Sequence, residues 1–277
     1  MGTLIPIIIK EFKDSIRSRW LITFTVISFF LVIGLPFVVA FTMGLMAPGM
    51  ETLIAGTMNV VFPLLPLIAL PIGSAAIVGE RDKHTLELLL SQPISKLSVF
   101  VGKFLGVFLA IAASVTLGMT LAAFLLMESP TAAYFMLLLL AYGLAASMLG
   151  LAFLVSAFSR DRSMALGISI FIWFVFAVLI DMGFLTLVFT AASEVSELTA
   201  MTIMVATNPL ELVRMLASFA ILLPGRSINP AMLGTTGMAL VKTFGIEGVQ
   251  PFLWMTLSFW ISIPIVGAFF LFLKRDI

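Results

Sequence analysis

Long apolar runs alternate with short charged islands along this chain. The runs at 20–42, 57–79, 99–127, 132–158, 164–190 and 251–273 are each long enough to cross a bilayer, which takes about 20 residues as a helix. The pattern predicts an all-α polytopic membrane protein with six spans in one membrane domain, 1–277. Residues 1–19 form an interfacial helix, and 20–190 hold the first five spans with a charged island at 80–96. Residues 191–250 form a helical insert outside the membrane, and 251–277 the last span and tail. The segment 198–223 is also apolar, but Asn208-Pro209, Glu211 and Arg214 interrupt it. Charges near mid-membrane cost a few kcal/mol, so it is read as non-spanning.

The first turns follow a helical period. Ile5, Ile8, Ile9, Phe12 and Ile16 recur at one spacing, while Lys10, Glu11, Lys13, Asp14 and Arg17 face elsewhere. That is the pattern of an amphipathic helix lying on a membrane surface. Pro6 is tolerated in its first turn, and Trp20 sits where an interface aromatic belongs.

Charge sets the orientation. Lys10, Lys13, Arg17, Arg19, Arg81, Lys83, Lys96, Lys103, Arg160, Arg162, Lys274 and Arg275 fall on one side of the predicted topology. Arg214, Arg226 and Lys242 fall on the other. Basic residues near span ends stay cytoplasmic, so both termini are expected in the cytoplasm of a cell whose inner membrane holds the chain. The charged first twenty residues are not those of a cleavable signal peptide. The net charge of +1 gives no case for nucleic acid. With no cysteine, disulfides and thiolate chemistry are excluded.

The island at 80–96 carries the most information. Leu86, Leu89, Leu90 and Pro93 share a helical face, and Arg81, Asp82, Lys83, His84 and Glu87 make the rest polar. Gln92-Pro93 should end that helix. A short helix with an apolar ridge fits a protein groove or a membrane surface, and a solvated loop fits the same residues. The pattern E-R-x-K-x-T-L-E-L-L-L-S-x-P-I-S (80–95), followed by G-K-F-L-G (102–106), resembles the ABC type-2 permease family. The resemblance implies that 80–96 is a coupling segment docking on a separate ATPase. It places Glu80, Arg81, Thr85, Leu86, Glu87, Leu88, Leu89 and Pro93 at that contact, and it also matches Lys103. It implies a homodimer of permeases with cytoplasmic ATPase subunits that hold ATP and Mg. The permease itself would bind no cofactor and be no enzyme. The chain has no G-x-x-x-x-G-K-[ST] loop to cradle phosphates.

The insert has two legible helix starts, Asn208-Pro209-Leu210-Glu211 and Asn229-Pro230, with Pro224-Gly225 between them. Glu211 and Arg214 are spaced to pair. An ordered apolar insert reads either as a docking surface, with Asn208, Pro209, Glu211 and Arg214 available to an external partner, or as a cap on the spans. The N-P-L-E-x-x-R run (208–214) and the terminal F-L-K-R-D (272–276) narrow the resemblance to NosY-like permeases. That implies a NosF-like ATPase, a periplasmic NosD-like β-helix protein, and a role in copper-site maturation of nitrous oxide reductase. The remaining readings are an exporter of drugs, lipids or peptides, and a membrane scaffold or receptor that transports nothing.

Asp181 is the intramembrane polar residue singled out, in the outer half of the fifth span, with no basic partner in sight from another span. Met43, Met46 and Met50 cluster near the end of the first span. Thioethers suit Cu(I), but methionine also fills apolar gaps. Without histidine or cysteine beside them, no metal site is assigned.

Overall fold

The computed structural model describes residues 4–42, 56–82, 94–126, 132–183, 186, 194–222 and 230–274. Most of the coupling segment, including Thr85, Leu86, Glu87, Leu88, Leu89 and Pro93, lies outside the described residues, as do Met43, Met46 and Met50. Every element described is helical. In chain order they are α1 (Leu4–Ile16), α2 (Arg19–Thr42), α3 (Phe62–Arg81), α4 (Lys96–Leu126), α5 (Ala132–Phe158), α6 (Arg162–Phe174), α7 (Glu194–Thr207), α8 (Pro209–Leu222) and α9 (Pro230–Lys274). Wide π-type turns precede α3 at Thr57–Val61 and extend α6 at Val175–Leu179. Among the described residues, five helices are long and apolar enough to cross a membrane, and the bent pair α1–α2 supplies a sixth, with 63° between its arms. The protein is therefore a multi-pass helical membrane protein.

α5 is the hub. It packs against α3, α4, α6, α8 and α9, and its small residues let those helices close in. A Cβ on Gly150 would lie 3.0 Å from Ile265, and one on Gly143 3.1 Å from Leu257. On the facing helix, a Cβ on Gly73 would fall 2.5 Å from Leu149 and 2.7 Å from Ala152. Water gives spans no reason to associate inside lipid, so close packing through small residues must hold them. The outward faces of α2, α6 and α9 stay apolar and exposed, with Phe30, Phe41, Phe171, Phe259 and Phe270 among them.

α4 carries a second stripe of small residues, Gly102, Gly106, Ala110, Ser114 and Gly118, one every four positions. α1 lies on its first half and α2 on its second. A Cβ on Gly106 would meet the Cβ of Glu11 at 2.5 Å and the carbonyl oxygen of Ile8 at 2.8 Å. Ser114 Oγ donates to the Leu21 carbonyl at 3.3 Å and shares a short contact with Thr25 Oγ1.

The face of α1 that is buried differs from the apolar stripe read in the sequence. Ile7, Glu11 and Ser15 are buried, Ile8, Phe12 and Ile16 are half-buried, and Ile5 and Ile9 are exposed. The reason is the glycine pair on α4, which admits the α1 backbone edge-on and brings Glu11 inward. The remaining isoleucines are left for lipid.

α7 and α8 pack against the spans. Trp260 Nε1 donates to the Ala206 carbonyl at 2.8 Å, and Asn208 Nδ2 to the Phe176 carbonyl at 2.9 Å. Trp260 and Phe176 each lie fourteen residues from the basic end of their own helix, or about 21 Å at 1.5 Å per residue. The turn between α7 and α8 therefore packs against the middle of both helices as a buried hairpin. Hydropathy sees an apolar stretch broken by charges, and tertiary packing turns it into a hairpin. Downstream, positive φ at Gly234 and Gly245 bends α9 and separates a short helix from the last span.

Gly106→Ala is expected to destabilise the detergent-purified protein by about 1–3 kcal/mol, the usual cost of overpacking. Gly79→Ala, where a Cβ meets nothing within 4 Å, serves as the neutral control in the same thermal-unfolding measurement.

Candidate functional site: the charged root of segment 80–96

Three elements converge at the basic end: α1, the last turn of α3, and the first turns of α4. Each contributes charge. Lys103 on α4 is completely buried. Its Nζ donates to Glu11 Oε1 at 2.9 Å and to the Ala76 carbonyl at 3.2 Å. Glu80 Oε2 lies 2.6 Å from the same nitrogen, an ion pair off the hydrogen-bond axis. Lys10 closes the square, 2.6 Å from Glu80 Oε1 and 3.3 Å from Glu11 Oε1. Two cations and two anions thus balance. A buried lysine is tolerated only when paired and hydrogen-bonded, and here each carboxylate is shared by both ammonium groups.

Burial pulls Lys10 down, but hydrogen bonding and attraction from Glu80 and Glu11 outweigh it and hold its ammonium above the ordinary lysine range. A lysine raised on folding contributes its stabilisation below the unfolded value of about 10 and loses it only above that. The Lys10 contacts therefore stay intact across physiological pH.

The next residues tie the same root to the loop between α5 and α6. Arg81 Nη2 donates to the carbonyls of Ser159, in a short contact, and of Arg160 at 2.9 Å. Asp82 Oδ2 accepts from the Arg162 backbone N–H at 2.9 Å. Asp161 caps α6 by accepting from the Met164 N–H at 2.8 Å. Deeper, Ser156 Oγ accepts from the backbone N–H groups of Ile77 and Val78. Residues Glu80, Arg81 and Asp82 therefore bind the entrance of the coupling segment to α1, α4 and the second loop at once. Lys103 lies just beyond its exit.

Among the coupling residues read from sequence, the structure describes Glu80 and Arg81, and both are engaged. Glu11 and Lys10 escaped the sequence reading. Lys103 was matched only by resemblance and counted among span-flanking charges. The available signal was a lysine set between two glycines inside an apolar run, where a flank charge should be exposed.

A second polar cluster marks the hairpin. Asn208 Oδ1 accepts from the Leu210 N–H at 3.0 Å, capping α8 with Pro209 at its first position. Its amide also donates to Asp181 Oδ1 at 3.2 Å. Glu211 pairs with Arg214 at 3.0 Å, and Arg214 Nη2 reaches Asn59 Oδ1 at 2.6 Å. The basic group that Asp181 lacked in the sequence comes from the insert, because the hairpin folds back and brings Arg214 within electrostatic reach. Asn208, Pro209 and Glu211 are buried. They face inward, toward the spans, while Arg214 is half-buried. Both π-type turns meet this cluster, one through Asn59 and one through Phe176. Such turns interrupt the regular ladder and recur at functional sites.

A helical membrane domain with a charge-clamped loop root at one end and a buried hairpin at the other is the class these features define. Residues 5–277 match the family described as ABC-2 family transporter protein. The chain belongs to that family. Two curated relatives carry the name "Probable ABC transporter permease protein NosY". That of Stutzerimonas stutzeri is 28% identical over 279 residues, 96% of each chain. That of Pseudomonas aeruginosa is 26% identical over 277 residues, 97% of each.

Lys103→Met is expected to cost about 3–5 kcal/mol, the usual penalty for stranding a buried counter-charge. Adding Glu11→Gln and Glu80→Gln should recover part of the loss, read as the melting temperature of the purified protein.

Proposed function

We propose that this chain is the permease subunit of a homodimeric ABC transporter of the inner membrane. Both termini and the basic end face the cytoplasm. Separate NosF-like subunits bind ATP and Mg and hydrolyse the nucleotide, and this chain is not itself an enzyme. The segment 80–96 docks on them through Glu80, Arg81, Thr85, Leu86, Glu87, Leu88, Leu89 and Pro93.

The four-charge cluster is the observation that carries this reading. A push on a loop moves spans only if the loop's root is stiff. Here the root is fixed to α1 and α4 by paired buried charge, and to the second loop by Arg81 and Asp82. Closure of the motors would then tilt α1, α3, α4 and α6 together. At the other end the hairpin, latched through Asn208, Asp181 and Arg214, would respond to that tilt.

The particular role follows the resemblance to NosY-like permeases. In this reading the complex serves copper-site maturation of nitrous oxide reductase in denitrification, with a periplasmic NosD-like β-helix protein as external partner. Coverage of nearly the whole length of both relatives supports it.

Affinity purification of the detergent-solubilised chain tests it, comparing wild type with Leu86→Asp, Leu89→Asp. Wild type is expected to carry an ATPase and a periplasmic β-helix protein, and the variant to lose only the ATPase. An ATPase without the β-helix partner would point instead to a general exporter. A folded wild-type sample with neither would sink the motor-coupled reading.

A further inference from the structure

A cavity of about 360 Å³ opens under the elbow between α1 and α2. Its size falls in the roughly 300–1,000 Å³ range of ligand sites. Two helices form its long walls with matching stripes, Leu67 and Pro71 from α3 and Leu166 and Ile170 from α6. These walls are apolar. At one end Asp14 and Arg162 line the same space. Unlike Glu11 beside them, neither the Asp14 carboxylate nor the Arg162 side chain has a partner among the described residues. Trp20 and Ser18 complete that end from the elbow itself.

The dimensions have a direct reading. From Arg162 to Ile170 the wall on α6 rises about 12 Å, and from Arg81 to Leu67 the wall on α3 about 21 Å, at 1.5 Å per residue. Half of a hydrocarbon core, about 15 Å, lies between the two. The cavity thus runs from the basic surface to about the depth of one leaflet, apolar below and charged at its mouth. An anion opposite Arg162 and a cation opposite Asp14, joined to a chain that prefers apolar walls, is the chemistry of an amine-bearing glycerophospholipid.

We infer that this cavity binds one resident zwitterionic phospholipid per chain, its phosphate on Arg162, its amine at Asp14, and one acyl chain between α3 and α6. The orientation rests on the proposed function, which makes this end cytoplasmic. The lipid acts as a wedge. The elbow joins the interfacial helix to the first span, so an occupied cavity fixes the angle at which motion of α1 reaches α2, α3 and α6. It is a structural ligand, not the cargo.

Native mass spectrometry of the full chain, stripped in detergent and then supplied singly with phosphatidylethanolamine or phosphatidylglycerol, tests this. Wild type is expected to retain one phosphatidylethanolamine per chain and to bind phosphatidylglycerol about tenfold more weakly, the effect of one lost charge-assisted contact. Ile170→Trp, which narrows the space between α3 and α6, should retain markedly less. Asp14→Asn with Arg162→Gln changes only exposed side chains and should lose the preference between the two lipids while melting like wild type. Equal retention by Ile170→Trp and wild type would place the lipid elsewhere and overturn the site. Equal binding of both lipids by wild type would overturn the headgroup assignment. The same measurement on the assembled complex, before and after ATP turnover, separates the roles. An unchanged lipid count supports a resident ligand, and depletion would make the lipid cargo. Co-purification of the ATPase is scored separately, so a missing lipid leaves the motor-coupled reading standing.

Discussion

One buried ammonium group organises the basic end of this protein. Lys103 sits among helices that would otherwise meet through apolar contacts alone, and it forces two carboxylates from distant parts of the chain to come to it. A charge without water costs several kcal/mol unless it is surrounded by opposite charge and good acceptors. The cost of failure makes the geometry specific. α1 can take only the register that presents Glu11, and α3 only the rotation that presents Glu80. Replacing the group with apolar side chains could leave the helices packed, but their relative rotation would be much less well defined. The two glycines on either side allow the approach that the charge then fixes.

The same logic separates the two ends of the bundle. At the basic end ion pairs join α1, α3 and α4, and backbone carbonyls of the second loop are bound by Arg81. At the other end the ion pair, Glu211 with Arg214, lies within α8 itself. The contacts that join the hairpin to the spans are single hydrogen bonds from the side chains of Asn208, Trp260 and Arg214. Ordinary bonds of this kind contribute about 0.5–1.5 kcal/mol each, well below what a stranded buried charge costs. A load applied at the clamped end would therefore be relieved first at the hairpin.

The spans were legible in the sequence because a run of twenty apolar residues has few alternatives. The cap at Asn208-Pro209 was legible because it uses only neighbouring residues. The helical period of α1 was also visible, but not its buried face, since Glu11 is drawn inward by a lysine 92 positions away. Glu80 and Lys10 are separated by 70 positions, and no local pattern links them. The packing of α7 and α8 against the spans was hidden for a different reason. Hydropathy measures whether a segment can lie in lipid, whereas this hairpin is sheltered by the spans around it and needs no lipid-facing surface at its turn. Arg214 looked like an outside charge and became a neighbour of Asp181.

The order of the clamp's residues along the chain has a consequence for biosynthesis. Glu11 and Glu80 both precede Lys103, so both anions leave the ribosome before the cation does. When α4 enters the membrane, its lysine meets partners already made and already held at the surface by α1 and the end of α3. Insertion of the third span is thereby helped by the first turns of the chain. A truncation that removed α1 would present the insertion machinery with a charged span and only half of its counter-charge.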